Sequence, residues 1–221
     1  ESEDVSVFRG VAFAQPPVGD LRWRPPVSVE SWDGTRMAME FGPACWQARN
    51  ADNSPYARGE LPRSEDCLTL NVWTPSLDPG ERLPVMVWFH GGGLTGGGKE
   101  LPQALKEKGY CVVGVGYRLS PKVKASVCIE DATAAIAWTF KNIAAYHGDP
   151  NNIFVSGHSA GGYLALMSVM DKSRLAKYDI DANEVAGLIP FSGHTITHFT
   201  IRAERGIPGE QPIIDAFAPL Y

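Results

Sequence analysis

A serine nucleophile is the first chemistry that the sequence suggests. The stretch Gly157-His158-Ser159-Ala160-Gly161 has the G-x-S-x-G pattern and separates a short apolar run from a longer run with helical spacing. In such a strand-to-helix turn the positions two residues either side of the serine must be small, because the turn leaves no room for side chains. The pentapeptide alone is a weak signal. Its context favours a nucleophile elbow over a serine that only caps a helix.

A glycine-rich stretch upstream could supply an oxyanion hole. The sequence HGGGL, residues 90–94, follows a buried-strand run, and its glycines allow the backbone amides to turn toward a developing oxyanion. In this interpretation the amides of Gly92, Gly93 and Ala160 would stabilise a tetrahedral intermediate formed on Ser159. Taken alone, the stretch would also fit a flexible loop.

The pattern of strands and helices predicts what positions these motifs. The first 80 residues are rich in proline, tryptophan and turn signals, which indicates antiparallel strands and long loops. Beyond residue 84, strand runs alternate with helical runs, which predicts a mostly parallel sheet with helices on both faces. The predicted strands are 5–8, 68–73, 84–90, 111–117, 152–157 and 185–191, and the predicted helices are 100–109, 129–146 and 160–171.

Composition narrows the class of protein. The 221 residues are 44% apolar, enough for a single domain over 1–221. The net charge of −5 is spread along the chain, so neither nucleic acid nor an anionic membrane is an expected partner. No apolar run has the length of a membrane span. The four cysteines lack the pairing of a zinc site, and we expect no metal or other cofactor.

Two sets of motifs resemble known esterases. Residues 7–75 resemble the type-B carboxylesterases, the group that includes the cholinesterases, through the segments VFRGVAFAQPPVGDLRWRPP (7–26) and EDCLTLNVWTP (65–75). Residues 84–221 resemble the bacterial acetyl and feruloyl esterases of the hormone-sensitive-lipase-like branch, through the segments at 115–138, 157–163 and 189–208. Both resemblances imply an α/β-hydrolase fold. His158 departs from the glutamate typical of type-B enzymes, which weakens inference about the substrate.

The type-B resemblance also implies a disulfide between Cys45 and Cys67. Such a bond would imply an oxidising compartment, and hence a secreted or periplasmic protein. Two buried free thiols are the alternative, and they would leave a cytoplasmic location open. Cys111 and Cys128 are predicted to be buried free thiols.

The general base and its acid partner are not evident. In α/β-hydrolases both follow the nucleophile on later strands, and no buried-strand run follows residue 191. We therefore expect both groups to come from elsewhere, because this chain is incomplete at both ends or is completed by a second polypeptide. His194 and His198 come after the last strand, where one could line the pocket. A Ser159–His198–Asp215 arrangement stays open, because triads are defined by geometry rather than by order.

The resulting hypothesis is a serine ester hydrolase. The resemblance to acetyl and feruloyl esterases and the lack of a long apolar lid favour a small-molecule or polysaccharide ester with a short acyl group. A feruloyl or acetylxylan esterase is one specific form of this hypothesis. A catalytically silent binding module with the same fold is the alternative class.

Two further sets of residues are interpreted as structural. Arg118 with the pair Glu130-Asp131 suits an ion pair of the scaffold. Four tryptophans could stack on a sugar, but we expect them to pack in the loop-rich N-terminal part: Trp23, Trp32, Trp46 and Trp73.

Overall fold

The computed structural model describes residues 5–48, 62–78, 80–99, 101–106, 108–208 and 212–219. Its strands are β1 (Ser6–Ala12), β2 (Ala44–Cys45), β3 (Arg63–Ser64), β4 (Thr69–Thr74), β5 (Leu83–Phe89), β6 (Cys111–Val115), β7 (Gly148–His158) and β8 (Gly187–Phe191). Its α-helices are α1 (Ala125–Asn142), α2 (Ala160–Met170), α3 (Lys172–Ala176) and α4 (Phe199–Glu204). Short 3-10 helices lie at Gly19–Leu21, Gln103–Leu105, Ile143–Tyr146 and Ala182–Glu184.

One six-stranded sheet organises the molecule, in the order β1-β4-β6-β5-β7-β8. β4 runs antiparallel to both β1 and β6, whereas the β6–β5, β5–β7 and β7–β8 pairs are parallel. The antiparallel N-terminal part and the parallel remainder agree with the prediction. Because the parallel strands end at one edge, the loops after β5, β7 and β8 lie together there.

The two faces of the sheet are covered differently. Val85, Val87 and Val155 alternate with residues that lie on the opposite face of the sheet. These three valines pack with α1 and α2 in the larger core. The opposite face holds a smaller cluster around Trp73 and Trp88, which contacts Leu105 of a 3-10 helix. The prediction of a helix at 100–109 is therefore wrong, because the described part of this segment forms only the 3-10 helix Gln103–Leu105. The segment offers few apolar residues to bury, and so short a helix gains little stability on its own; positions 100 and 107 lie outside the described residues.

Two polar contacts fix α1. The Arg118 side chain donates to both carboxylate oxygens of Asp131, at 2.9 and 2.6 Å, and the pair is buried. This is the scaffold ion pair that the sequence predicted, with Asp131 rather than Glu130 as the partner. The carboxylate of Glu204 accepts from the Ala125 amide at 3.0 Å. Because this contact spans 79 residues, the sequence pattern alone placed the start of α1 four residues too late.

The cysteines are arranged as the type-B resemblance implied. Cys45 and Cys67 form a disulfide, and Cys111 and Cys128 are buried free thiols. The packing prediction for the tryptophans holds only for Trp73. The other three are exposed in the structure, by 67% at Trp23, 47% at Trp32 and 45% at Trp46.

Two features are absent from the described part of the chain. No helix there combines the length and apolar character needed to cross a membrane. No group of three or more His, Cys, Asp or Glu side chains there could hold a metal ion.

Candidate active site

Ser159 occupies the turn between β7 and α2. Its backbone has φ 54° and ψ −117°, a left-handed conformation that costs energy for any residue except glycine. Its amide donates to the carbonyl of Phe191 at 2.8 Å, and its carbonyl accepts from the Tyr163 amide at 3.0 Å. This strained backbone is the geometry that presents a serine hydroxyl at the end of a sheet.

The glycines that flank Ser159 are required by backbone contacts. A Cβ at Gly161 would lie 2.1 Å from the carbonyl oxygen of Phe89, and a Cβ at Gly157 would lie 2.5 Å from the carbonyl carbon of Gly161. Neither contact can be relieved by a side-chain movement, because both involve backbone atoms. The elbow therefore depends on both glycines of the pentapeptide.

The glycine-rich loop after β5 lies against Ser159. A Cβ at Gly91 would be 3.5 Å from the Cβ of Ser159. Gly92 and Gly93 both have positive φ, 111° and 65°, a conformation that glycine adopts without steric cost. The structure thus brings together the two motifs that the sequence singled out.

Carbonyl contacts orient the amides of this loop. The carbonyl of Gly92 accepts from the amides of Thr95 and Gly96, at 3.0 and 3.1 Å. Because a trans peptide is planar, the Gly93 N–H points away from these two donors. Across the described residues, no hydrogen bond involves the amide N–H of Gly92 or Gly93. The Ala160 N–H has no intrahelical acceptor either, since Ala160 is the first residue of α2.

His90 and His158 have other surroundings. The His90 ring stacks on Tyr117 with centroids 4.2 Å apart, and its Nδ1 lies 2.7 Å from the carbonyl oxygen of Gly91. His158 is exposed and lines a cavity of about 530 Å³ together with Trp88 and Phe191. His90 therefore supports the glycine-rich loop, and His158 lines a cavity that also reaches His90 and Gly91.

His198 is buried at the start of α4. Its Nδ1 accepts from the Thr200 amide at 3.2 Å, and no described group hydrogen-bonds its Nε2. The rings of His194 and Tyr163 lie 4.8 and 5.1 Å away. Burial, with a smaller contribution from His194, lowers the pKa of His198 to about 3. His198 is therefore neutral at physiological pH.

Asp215 is bound to other partners. Its carboxylate accepts from the Thr197 hydroxyl at 2.7 Å, from Arg205 at 2.6 Å and from the Phe217 amide at 2.9 Å. In the described part of the chain no hydrogen bond joins Asp215 to His198 or His198 to Ser159. The alternative Ser159–His198–Asp215 arrangement is therefore not assembled.

Sequence reasoning missed two residues next to the glycine-rich loop. The Thr200 hydroxyl donates to the carbonyl of Gly93 at 2.5 Å. A Cβ at Gly93 would lie 3.2 Å from the Phe199 ring, so this ring covers the loop. Both contacts span more than 100 residues, and the only available signal was the position of this segment after the strand that neighbours β7.

The mixed, mostly parallel sheet and the serine elbow between β7 and α2 define the α/β-hydrolase class. Residues 1–218 match the model of the "Carboxylesterase family". The chain belongs to the carboxylesterase family.

Curated relatives agree with this assignment. Phenmedipham hydrolase from Pseudarthrobacter oxydans is 44% identical over 71% of this chain and 34% of its own length. Fumonisin B1 esterase from Sphingopyxis macrogoltabida is 41% identical over 72% of this chain and 32% of its own length. Mouse carboxylesterase 1E is 38% identical over 80% of this chain and 34% of its own length. The chain thus spans about a third of the length of these relatives.

Solved structures match the fold as well. A thermophilic pNB esterase is 33% identical with a TM-score of 0.67, over 80% of this chain and 40% of that chain. A carboxylesterase from Geobacillus stearothermophilus is 32% identical with a TM-score of 0.65, over 80% of this chain and 39% of that chain. The type-B resemblance is confirmed. The resemblance of residues 84–221 to acetyl and feruloyl esterases stays a prediction.

Proposed function

We propose that this chain carries the nucleophile of a serine carboxylic ester hydrolase. The observation that carries the proposal is the strained backbone of Ser159, held between two obligatory glycines and against Gly91 of the glycine-rich loop. Relatives named as hydrolases and esterases support the same reaction class.

In this proposal a general base takes the proton of the Ser159 hydroxyl as its Oγ attacks the acyl carbon of the ester, and gives that proton to the alcohol that leaves. The new C–O bond turns the carbonyl oxygen into an oxyanion, which the amides of Gly92, Gly93 and Ala160 stabilise. Each such donor is worth about 10²–10³ in rate in a serine hydrolase. Collapse of the intermediate breaks the bond to the alcohol and leaves an acyl group on Ser159, which water then hydrolyses.

The general base and the acid come from polypeptide outside these 221 residues. His198 is neutral, but it is enclosed by aromatic rings and does not contact Ser159 through a hydrogen bond. β8 is at the edge of the sheet, and its residues Ile189 and Phe191 are exposed. An unpaired edge of this kind can accept further strands, which could carry both groups to Ser159. A second polypeptide or further sequence of the same protein would serve equally.

The acyl group of the substrate is short, or the ester is carried on a carbohydrate. The Phe199 ring lies over Gly93 and limits the space beside the glycine-rich loop. The exposed Trp46 is available to stack on a sugar ring, whereas Arg36 and Arg22 lie over the rings of Trp32 and Trp23, at 4.0 and 5.7 Å from the ring centroids. A feruloyl or acetylxylan esterase is the most specific form of this proposal. The disulfide favours a secreted or periplasmic location.

A panel of esters tests the proposal. The native protein is assayed on nitrophenyl esters from acetate to palmitate, on methyl ferulate and on acetylated xylan. We expect hydrolysis of the short esters, a loss of at least about a thousandfold in Ser159→Ala, and no change in Ser28→Ala, which alters an exposed serine. Absence of hydrolysis of every ester would favour the silent binding module, and a preference for palmitate would contradict the proposed acyl group.

A further inference from the structure

One side chain from the N-terminal part of the chain holds the far end of the glycine-rich loop. Gln47 Oε1 accepts from the Gly97 amide at 2.8 Å, and Gln47 Nε2 donates to the Gly97 carbonyl at 2.7 Å. The side-chain amide thus pairs with both polar groups of one backbone residue, as the facing residue of a neighbouring strand does. Because the two residues are 50 positions apart, this pair of hydrogen bonds ties the loop to a distant segment.

Gln47 is itself anchored near the sheet. It lies two residues after Cys45, which forms a disulfide with Cys67. Cys67 is buried and lies two residues before β4. Gln47 Nε2 also donates to the Cys45 carbonyl at 3.4 Å. The disulfide and this local contact therefore set the position of the Gln47 side chain, as a support for a functional loop requires.

Gly97 packs directly against the first residues of the loop. A Cβ at Gly97 would lie 2.1 Å from His90 Nδ1 and 2.5 Å from the carbonyl oxygen of Gly91. Gly97 also has a φ of 122°, which glycine adopts without steric cost. The backbone at Gly97 and the backbone at the start of the loop are therefore in close contact, and a change in the position of one affects the other.

Gly96 connects Gly97 to a proposed oxyanion donor. The Gly96 amide donates to the Gly92 carbonyl at 3.1 Å, and a Cβ at Gly92 would lie 2.1 Å from the carbonyl oxygen of Gly96. The Gly92 carbonyl and the Gly93 N–H belong to the same planar peptide. The position of Gly96 therefore influences the direction of the Gly93 N–H.

We propose that Gln47 is a positioning residue of the oxyanion hole, which acts through Gly97 and Gly96 on the Gly93 amide. Its effect on the reaction is made in the transition state, because an oxyanion donor is needed only when the tetrahedral intermediate develops. A misplacement of about 1 Å can cost about 10² in rate. The effect on catalysis rests on the proposed function, whereas the hold of Gln47 on the loop does not.

Gln47→Met tests the effect on catalysis, because it keeps the length of the side chain and removes both hydrogen bonds to Gly97. We expect kcat for nitrophenyl acetate to fall at least about tenfold, with KM within about twofold. The inhibition constant of a trifluoromethyl ketone, which forms an oxyanion when it adds to a serine, should rise by a similar factor. A smaller amount of folded protein would lower the apparent kcat but would not change this inhibition constant.

Gln15→Met is the matched control. Gln15 Nε2 also donates to a backbone carbonyl, that of Ser28, at 3.1 Å, but this contact lies outside the glycine-rich loop. The same substitution there should leave kcat, KM and the inhibition constant unchanged. If Gln47→Met fails to fold, Gln47→Glu replaces it, because a carboxylate can accept from the Gly97 amide but cannot donate to the Gly97 carbonyl. A normal kcat in that variant would overturn the inference.

Hydrogen exchange separates this inference from the proposed function. Exchange of the Gly96 and Gly97 amides is followed by NMR in the wild type, in Gln47→Met and in Gln15→Met. We expect exchange at least about tenfold faster in Gln47→Met and unchanged in Gln15→Met. Unchanged exchange in Gln47→Met would overturn the inference even if the wild type hydrolyses no ester, which would by itself count only against the proposed function. Faster exchange with a normal kcat and a normal inhibition constant would overturn the link to the oxyanion hole.

Discussion

The region around Ser159 and the described part of the segment from His194 to Asp215 both contain side chains of the types found in serine triads. The structure places these side chains in different surroundings. Around Ser159, positions 157 and 161 require glycine, because a Cβ at either position would lie 2.1 to 2.5 Å from a backbone atom, and the serine between them has a strained backbone. In the second segment His198 accepts from the Thr200 amide and Asp215 binds Arg205. The difference shows that a residue type indicates catalytic chemistry only where the backbone holds that residue in a position that catalysis requires.

The two regions also differ in what they leave unpaired. The glycine-rich loop keeps the amides of Gly92 and Gly93 free of hydrogen bonds within the described chain, which suits a region that stabilises a developing charge. The second segment buries the His198 ring beside Tyr163 and Phe199. The second segment contacts the glycine-rich loop through Thr200 and Phe199, so we interpret this segment as the support of that loop.

The largest effect is expected in the nucleophile elbow. Gly161→Ala places a Cβ 2.1 Å from the Phe89 carbonyl oxygen, so the elbow must shift. We expect a loss of at least about 2 kcal/mol in the free energy of unfolding and the loss of esterase activity. Gly98→Ala is the matched control, because a Cβ there meets no atom within 4 Å. Urea denaturation and nitrophenyl acetate hydrolysis measure both; normal activity in Gly161→Ala would disprove the backbone argument.

The second effect concerns the protonation of His198. Its pKa is about 3 in the folded protein and about 6.5 in an unfolded chain, so the unfolded state binds an extra proton between these values. The free energy of unfolding therefore falls as the pH drops from about 6.5 toward 3, by about 3 kcal/mol between pH 7 and pH 4 from this group. In His198→Asn, which retains an acceptor for the Thr200 amide, this component is absent. Urea denaturation at the two pH values measures the difference.

The same variant tests the assignment of the general base. His198→Asn should retain esterase activity within about fivefold, because the base is expected from outside these residues. A loss of the size seen for catalytic residues, about a thousandfold or more, would show that His198 is the base. Identical pH dependence of stability in the variant and the wild type would contradict its burial as a neutral ring.

A smaller effect is expected where the two regions meet. Phe199→Ala removes the ring that covers Gly93, which should open space for a longer acyl chain. We expect the kcat/KM ratio of nitrophenyl octanoate to nitrophenyl acetate to rise about tenfold, the usual size for added apolar space in a pocket. Trp32→Ala, which removes an exposed aromatic ring elsewhere, should leave the ratio unchanged. If this kcat/KM ratio were unchanged in Phe199→Ala, the Phe199 ring would not limit the length of the acyl chain.

The smallest effect is expected at Asp215. Its bridge to Arg205 is partly exposed, and bridges of this kind contribute about 0–1 kcal/mol. Asp215→Asn should therefore lower the free energy of unfolding by less than about 1 kcal/mol and leave kcat/KM within about twofold. The acid of a serine triad would give a loss of about 10⁴ in kcat, so a large loss would revive the arrangement with His198.

The sequence predicted the elements of the parallel sheet because each is a continuous apolar run, as in β6 with five buried residues. It also predicted the elbow and the glycine-rich loop, since both are local motifs. Contacts between distant segments were not predictable. The contact of Thr200 with Gly93 and that of Glu204 with Ala125 depend on how the chain folds back. The exposed tryptophans were mispredicted because apolar character alone does not tell which face of a loop is covered.

Labelling with a fluorophosphonate probe tests whether Ser159 is the nucleophile. The native protein is treated with the probe, and the modified residue is found by intact mass and peptide mapping, with Ser159→Ala and Ser28→Ala treated in parallel. We expect a single adduct on Ser159, absent from Ser159→Ala and unchanged in Ser28→Ala. No adduct, under conditions that label a control esterase completely, or an adduct that persists in Ser159→Ala, would contradict this expectation.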